Sequence, residues 1–238
     1  MIKLILILAI VAALTFVYFS RKKGAGQSDY PAQGGPALSA PEDQSALKNI
    51  TTYIDEKDSG FSVPEFTEKI SNLYIRLCNA LEDKNTLTVK PYFADDIISS
   101  YDKEIDEDRN SGYTHIFSKL TVLSATVNGW KSDGDSDIIV AEIRSRMTDY
   151  KEDSQGNPVG GGMNTEKFIT SEWILERSTS KKTGNDNSLN AQNCPYCGAP
   201  VNINSSAVCE YCGRVLKTDS FDWVVKRIKS IERTEVNI

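Results

Sequence analysis

The sequence predicts an α+β domain in which N-terminal helices pack on an antiparallel sheet, with a small zinc ribbon inserted before the last strand and one transmembrane helix at the N-terminus. Three observations predict it. Apolar residues recur at helical spacing from about residue 42 to residue 110, and after His115 the period changes to two. Four cysteines, arranged as two C-x2-C pairs, then precede a final alternating segment.

Leu4 to Phe19 is a run of sixteen residues without a charge. At helical rise it reaches about 24 Å, and Ser20 with the snorkelling side chains of Lys3 and Arg21 extends it toward the bilayer thickness. The rival reading, a cleavable signal peptide, meets Arg21, Lys22 and Lys23 directly after the apolar run and finds no A-x-A site. Residues 1–23 are therefore expected to be an anchor in contact with the lipid bilayer through residues 4–20. The three basic residues after the span favour a single-pass protein of the cell membrane with its C-terminal domain in the cytoplasm.

Residues 24–41 hold four glycines (24, 26, 34, 35) and three prolines (31, 36, 41). Such a stretch buries too little apolar surface to offset its ordering entropy, and it is expected to be a flexible linker. Residues 42–238 form the folded domain, long enough for one sizeable core, and the ribbon occupies 193–216 within it.

Ser62 and Glu65 make an S-x-x-E capping box, followed at helical spacing by Phe66, Ile70, Leu73, Tyr74, Leu77, Cys78 and Leu81. A shorter helix is expected from Glu42 to about Asp58, and an acid-rich one from Ala94 to about Asn110. The acidic run Asp102 to Asp108 lacks the spacing and glycine of a calcium loop and reads as a solvated helix face. Cys78 reads as a small buried hydrophobe. His115, the single histidine, is expected at the helix-to-strand turn. Strands are expected at Phe117–Trp130, Ile138–Tyr150 and Glu166–Arg177, and Phe221 to Ile231 can return to the sheet. Asp133-Gly134-Asp135 suits a tight hairpin, and Asp153 to Gly162 a longer, mobile loop.

Cys194, Cys197, Cys209 and Cys212 form the knuckles C-P-Y-C-G and C-E-Y-C-G. Four thiolates satisfy a tetrahedral ion and leave no open position, so a structural zinc is expected there, with iron as the lesser candidate. The alternative, a redox-active Cys194-Pro195-Tyr196-Cys197, needs a helix starting at the first cysteine, and Gly198, Ala199 and Pro200 argue against one.

Charge narrows the partners. From Gly24 onward there are 23 basic against 33 acidic residues, which excludes the basic patch that nucleic acid requires.

Leu73-Tyr74, Pro91-Tyr92-Phe93, Asp149-Tyr150 with Asp153, and Trp173 to Arg177 give the chain a resemblance to the Tim44-like domain family. It extends over about 45–238. The cysteine motifs, placed between the last strands, resemble those of bacterial members. The resemblance implies a curved, cone-like sheet with an apolar cavity at its open end, and an association with membranes and protein translocation or assembly. Two functional classes follow. The first is a membrane-tethered binding or adaptor module whose cone recognises a protein segment or a lipid. The second is a small-molecule enzyme of the isomerase or hydratase kind. Asp149 and Glu172 are the nearest acid–base candidates for it, with Asp149 expected to cap the strand end. No convincing catalytic constellation is present, and a non-enzyme is expected.

Overall fold

The computed structural model describes residues 47–183, 192–193, 199–201, 211 and 223–238. The first helix, α1 (Ile50–Glu56), starts where the Asn49 side chain accepts the Thr51 amide at 3.0 Å. Lys48 joins it to the sheet, exchanging backbone hydrogen bonds of 2.8 and 3.0 Å with Trp130.

The second helix, α2 (Val63–Glu82), begins at the Ser62 cap and buries the stripe from Phe66 to Leu81 that the sequence marks. Helix α3 (Asp95–Ser111) carries Asp95 and Asp96 in its first turn, where the helix dipole favours acids. Between α2 and α3 a 3-10 turn over Lys90–Tyr92 leads Phe93 to pair with Val225.

Four antiparallel strands follow: β1 (Thr114–Asp133), β2 (Ser136–Glu152), β3 (Pro158–Ser178) and β6 (Val224–Asn237), in the spatial order β1-β2-β3-β6. Two-residue strands β4 (Gln192–Asn193) and β5 (Pro200–Val201) pair in the β3–β6 connection. Alternation settles the faces. Ile139, Ala141, Ile143 and Met147 of β2, with Trp173 and Leu175 of β3, turn to the helices and are buried. Glu142 and Arg144 turn the other way, opposite Glu172 and Thr170.

The loop expected at Asp153–Gly162 is shorter than its sequence suggests. The Asp153 carboxylate accepts the amides of Gln155 and Asn157 at 2.8 and 2.9 Å, which closes a tight turn. Pro158 to Gly162 already belongs to β3. Gly161 is required there: its φ is +77°, and a Cβ would meet the Asp149 carbonyl oxygen at 2.5 Å.

Several expectations are corrected. The sheet does not curl into a closed cone, because β1 and β6 remain its two outer strands. Between helices and sheet, the described residues Trp130, Trp173, Tyr53, Phe93, Ile139 and Met147 are all fully buried. A cavity of about 290 Å³ lies instead on the outward side of α2, over Glu65, Glu68, Asn72, Leu73, Arg76 and Tyr92.

Among the described residues no helix is long and apolar enough to cross a membrane. α2, the longest, carries Glu65, Glu68, Lys69 and Arg76. The span expected at Leu4–Ser20 and the linker at 24–41 lie outside the described residues. The described residues thus supply no anchor, and the bilayer partner, the cell-membrane placement and the tethered mode of action find no support among them. No zinc ribbon is formed by the described residues either. Cys194, Cys197, Cys209 and Cys212 lie outside them, and of 193–216 only Asn193, Ala199–Val201 and Tyr211 are described.

Candidate functional site

The densest chemistry lies where the second half of α3 crosses the ends of β1, β2 and β3. Asp149 falls on the helix-facing side of β2, and Lys167 reaches it from β3. The Lys167 ammonium is 2.8 Å from Asp149 Oδ2 and also donates to the Asp149 carbonyl at 2.9 Å. From β1, His115 Nε2 lies 2.6 Å from Asp149 Oδ1, and its ring stacks on Phe117 at 4.2 Å. His115 Nδ1 faces Glu104 Oε1 at 3.6 Å. Lys151 closes the chain, 3.3 Å from Glu104 and 2.6 Å from Asp108.

The protonation states follow from burial and neighbours. Burial, with the ammonium groups of Lys151 and Lys167, pushes the His115 imidazole down to about 3, so the ring is neutral and its Nε2–H donates to Asp149. Burial raises the Asp149 carboxyl above its ordinary range, and the hydrogen bond and charge of Lys167 only partly offset this. Glu104 is raised by burial in the same way, against the pull of Lys151. For Lys151, burial favours loss of the proton, but Asp108 and Glu104 outweigh burial and hold it in place.

Glu104, Asp108 and His115 each offer a ligand atom within 4.8 Å of the others, a potential metal-coordinating cluster. Its two carboxylates already share the Lys151 ammonium. A divalent ion would have to displace that lysine, so the set as built is an ion-pair cluster with its own cation.

A second buried network stands at the other end of the sheet. Arg177 of β3 donates to Asp58 and to the Tyr53 hydroxyl, and Tyr53 donates to Asp137 at 3.1 Å. Asp58 also accepts the Thr183 amide and hydroxyl. Gly60 allows this approach, since a Cβ there would meet the Thr183 carbonyl oxygen at 2.5 Å. Burial works against ionisation of Asp58, but the bonds from Arg177 and Thr183 prevail and hold its carboxyl below the usual range. Arg177 further stacks on Trp223, 4.6 Å from the ring centre.

The acid–base candidates do not share a site. Asp149 sits within β2 and is buried in the ion-pair cluster rather than capping the strand end. Glu172, also buried, points to the opposite face of the sheet, across from Glu142 and Lys229. His115 is the second residue of β1, not a turn residue. Cys78 is buried on α2, and desolvation pushes its thiol up to about 12. The solvated-face reading of Asp102–Asp108 missed Glu104 and Asp108. A signal was there, because Asp108 continues the stripe Ile98, Tyr101, Ile105 at helical spacing.

Three of the residues that carry the family resemblance, Tyr74, Phe93 and Trp173, meet at one indole. Tyr74 and Phe93 pack on Trp173 at 6.1 and 5.6 Å between ring centres, and the Tyr74 hydroxyl lies 2.8 Å from that of Ser145 on β2. The model of the Tim44-like domain matches residues 47–187. The mitochondrial import inner membrane translocase subunit TIM44-1 of Arabidopsis thaliana is 25 % identical over 140 residues, which is 58 % of this chain and 30 % of the plant protein. The chain thus spans less than a third of that relative's length. With the matched segment running from the strand-joining Lys48 through α2, α3 and the three long strands, the chain belongs to the Tim44-like domain family.

Proposed function

We propose that this chain is a non-catalytic protein-binding module that serves a protein-transport assembly. The observation that carries the reading is the coincidence of the family match with the helix-and-sheet body, together with a relative named as a translocase subunit. A subunit works by contact with other polypeptides. The core side chains of the described residues are buried, which directs attention to the outer surface. The hollow over α2 fits a peptide: Glu65, Glu68 and Lys69 rim it, and the Arg76 guanidinium lies 4.9 Å from the centre of the Tyr92 ring. His115 and Asp149, the residues closest to a general-base pair, are 5 % and 1 % exposed, bonded to each other and, through Asp149, to Lys167, which supports a structural use of both.

The experiment is photo-crosslinking of the intact chain in its native cells from position 72, in the hollow, and from position 128, on the exposed part of β1. A defined polypeptide crosslinked from 72 and not from 128, and lost in Glu65→Lys/Glu68→Lys, is expected. Equal labelling from both positions sinks the reading.

Cys194, Cys197, Cys209 and Cys212 are proposed to hold a structural zinc through four thiolates. The β4–β5 ladder, which brings Asn193 beside Pro200, supports this by bracketing the first pair. Metal analysis of the full chain is expected to find about one zinc, released in Cys194→Ser.

A further inference from the structure

Strand β6 is an outer strand of the sheet. At its start the free side is covered, since Phe93 pairs with Val225 and the Ala94 amide donates to the Val225 carbonyl at 2.9 Å. Beyond Lys226 no other described segment pairs with that side, and Lys229 to Ile238 are all exposed. Open backbone groups on an outer strand invite pairing with any extended chain unless side chains prevent it.

The other outer strand is blunted locally. The Glu82 carboxylate accepts the Phe117 amide at 2.6 Å, Lys84 donates to the Tyr113 carbonyl, Lys48 pairs with Trp130, and three register shifts bend β1. On β6 the protection is charge. Lys226, Arg227 and Lys229 precede Glu232 and Glu235, with Arg233 between the two acids.

This order is self-complementary. Laid antiparallel against a copy of itself about the point between Ser230 and Ile231, the strand sets Lys229 opposite Glu232, twice by symmetry. The faces agree as well. Pairing with β3 places Lys229 opposite Glu172 and Glu232 opposite Thr170, both on the side of the sheet away from the helices. Arg227 and Thr234, which would face each other, also share that side, opposite Ile174 and Phe168. Ile228 and Arg233 share the helix side, opposite Trp173 and Ile169. The register with β3 slips at Ile231. That irregularity lies at the centre of the self-pairing, so both copies count alike through it. A shift by one residue would put every pair on opposite faces. Lysines and bulges that repel a foreign strand therefore accept this one.

We propose that β6 pairs antiparallel with β6 of a second copy of this chain, making one sheet continuous across a twofold axis. One strand pair buries less than the roughly 1,000 Å² of a stable interface, so the dimer is weak, with a dissociation constant on the order of tens of micromolar. Lys226 already lies 3.9 Å from Glu176, which leaves Lys229 and Glu232 as the specifying pair.

Sedimentation equilibrium of the full chain tests this. Lys229→Glu and Glu232→Lys each set like charges opposite one another and are expected to weaken the dimer about tenfold or more. Mixing the two variants restores charge matching in a heterodimer, and the double variant restores it in a homodimer. Both sites are exposed, and circular dichroism of each variant verifies that it is folded. A chain that remains monomeric at about 200 μM, an association indifferent to both reversals, or a mixture that fails to recover affinity overturns the proposal.

Discussion

The Lys167 ammonium and the Asp149 carboxylate form an ion pair at 2.8 Å in which both side chains are 2 % exposed. The pair ties β3 to β2 beneath α3 and places His115 through a second bond to the same carboxylate. Breaking such a pair by removing one partner leaves a charge in low dielectric, at a cost of about 3–5 kcal/mol. Lys167→Met is expected to lose that much in urea denaturation. Lys167→Met/Asp149→Asn is expected to lose less than Lys167→Met, because no carboxylate then remains to be desolvated. A Lys167→Met chain as stable as the wild type would contradict this account.

His115 gives the pH dependence a sign. Its imidazole is held down to about 3, against an ordinary value near 6.5. A base depressed on folding contributes stability that is full above the unfolded value and is lost as pH falls from about 6.5 toward about 3, because the unfolded chain takes up the proton first. Wild-type stability should therefore fall over that interval more steeply than that of His115→Gln. As the chain has one histidine, its imidazole resonances are unambiguous, and they should not titrate between about pH 7 and pH 5. A midpoint near pH 6.5 would show the ring to be solvated. Asp149 and Glu104, raised on folding, act with the opposite sign: their contribution is present below their unfolded values and lost as pH rises through the folded ones.

Arg177 joins three parts of the chain that are remote in sequence. It holds Asp58 after α1, Thr183 after β3, and Trp223 ahead of β6. Arg177→Met should cost about 3–5 kcal/mol by leaving Asp58 buried without its cation. Tyr53→Phe removes only the hydroxyl between Arg177 and Asp137 and should cost about 1–3 kcal/mol. Asp58 is held below its usual range, so its contribution is present above its unfolded value and disappears as pH falls through the folded one. Comparing denaturation midpoints of the wild type and both variants at neutral pH checks the order, and equal losses would mean that the guanidinium is not the centre of this network.

The elements were legible where local chemistry decides them. Ser62 caps α2, its stripe is buried, Gly134 turns the β1–β2 hairpin, and the alternation from Ile139 to Met147 sets the faces of β2. What the sequence hid is polar and long-range. Lys151 finds Asp108 across 43 residues, Lys167 finds Asp149 across 18, and Arg177 finds Asp58 across 119. A charged residue at an inward position reads as solvent-facing until its partner is brought to it, and no spacing rule connects those pairs. Alternation likewise says which side chains turn inward, but not that Trp130, Trp173 and Phe93 come together in one core.

Cys78 tests the closure of that core directly. Its thiol is 5 % exposed on α2, and burial, helped by the nearby Glu82, pushes it up to about 12 from an ordinary 9.0. The reactive species is the thiolate, and a thiol so raised holds about a thousandfold less of it at a given pH, before any steric barrier is counted. Alkylation of Cys78 by iodoacetamide at pH 8, followed by peptide-level mass spectrometry, should be at least about a thousandfold slower in the native chain than in urea. The rate should rise with urea along the global unfolding curve, as expected for a group exposed only by cooperative opening. Lys167→Met, which lowers global stability without touching α2, should accelerate it in proportion to the lost stability. Fast labelling of Cys78 in the native wild type would mean that α2 opens locally, and that the interior behind it is accessible after all.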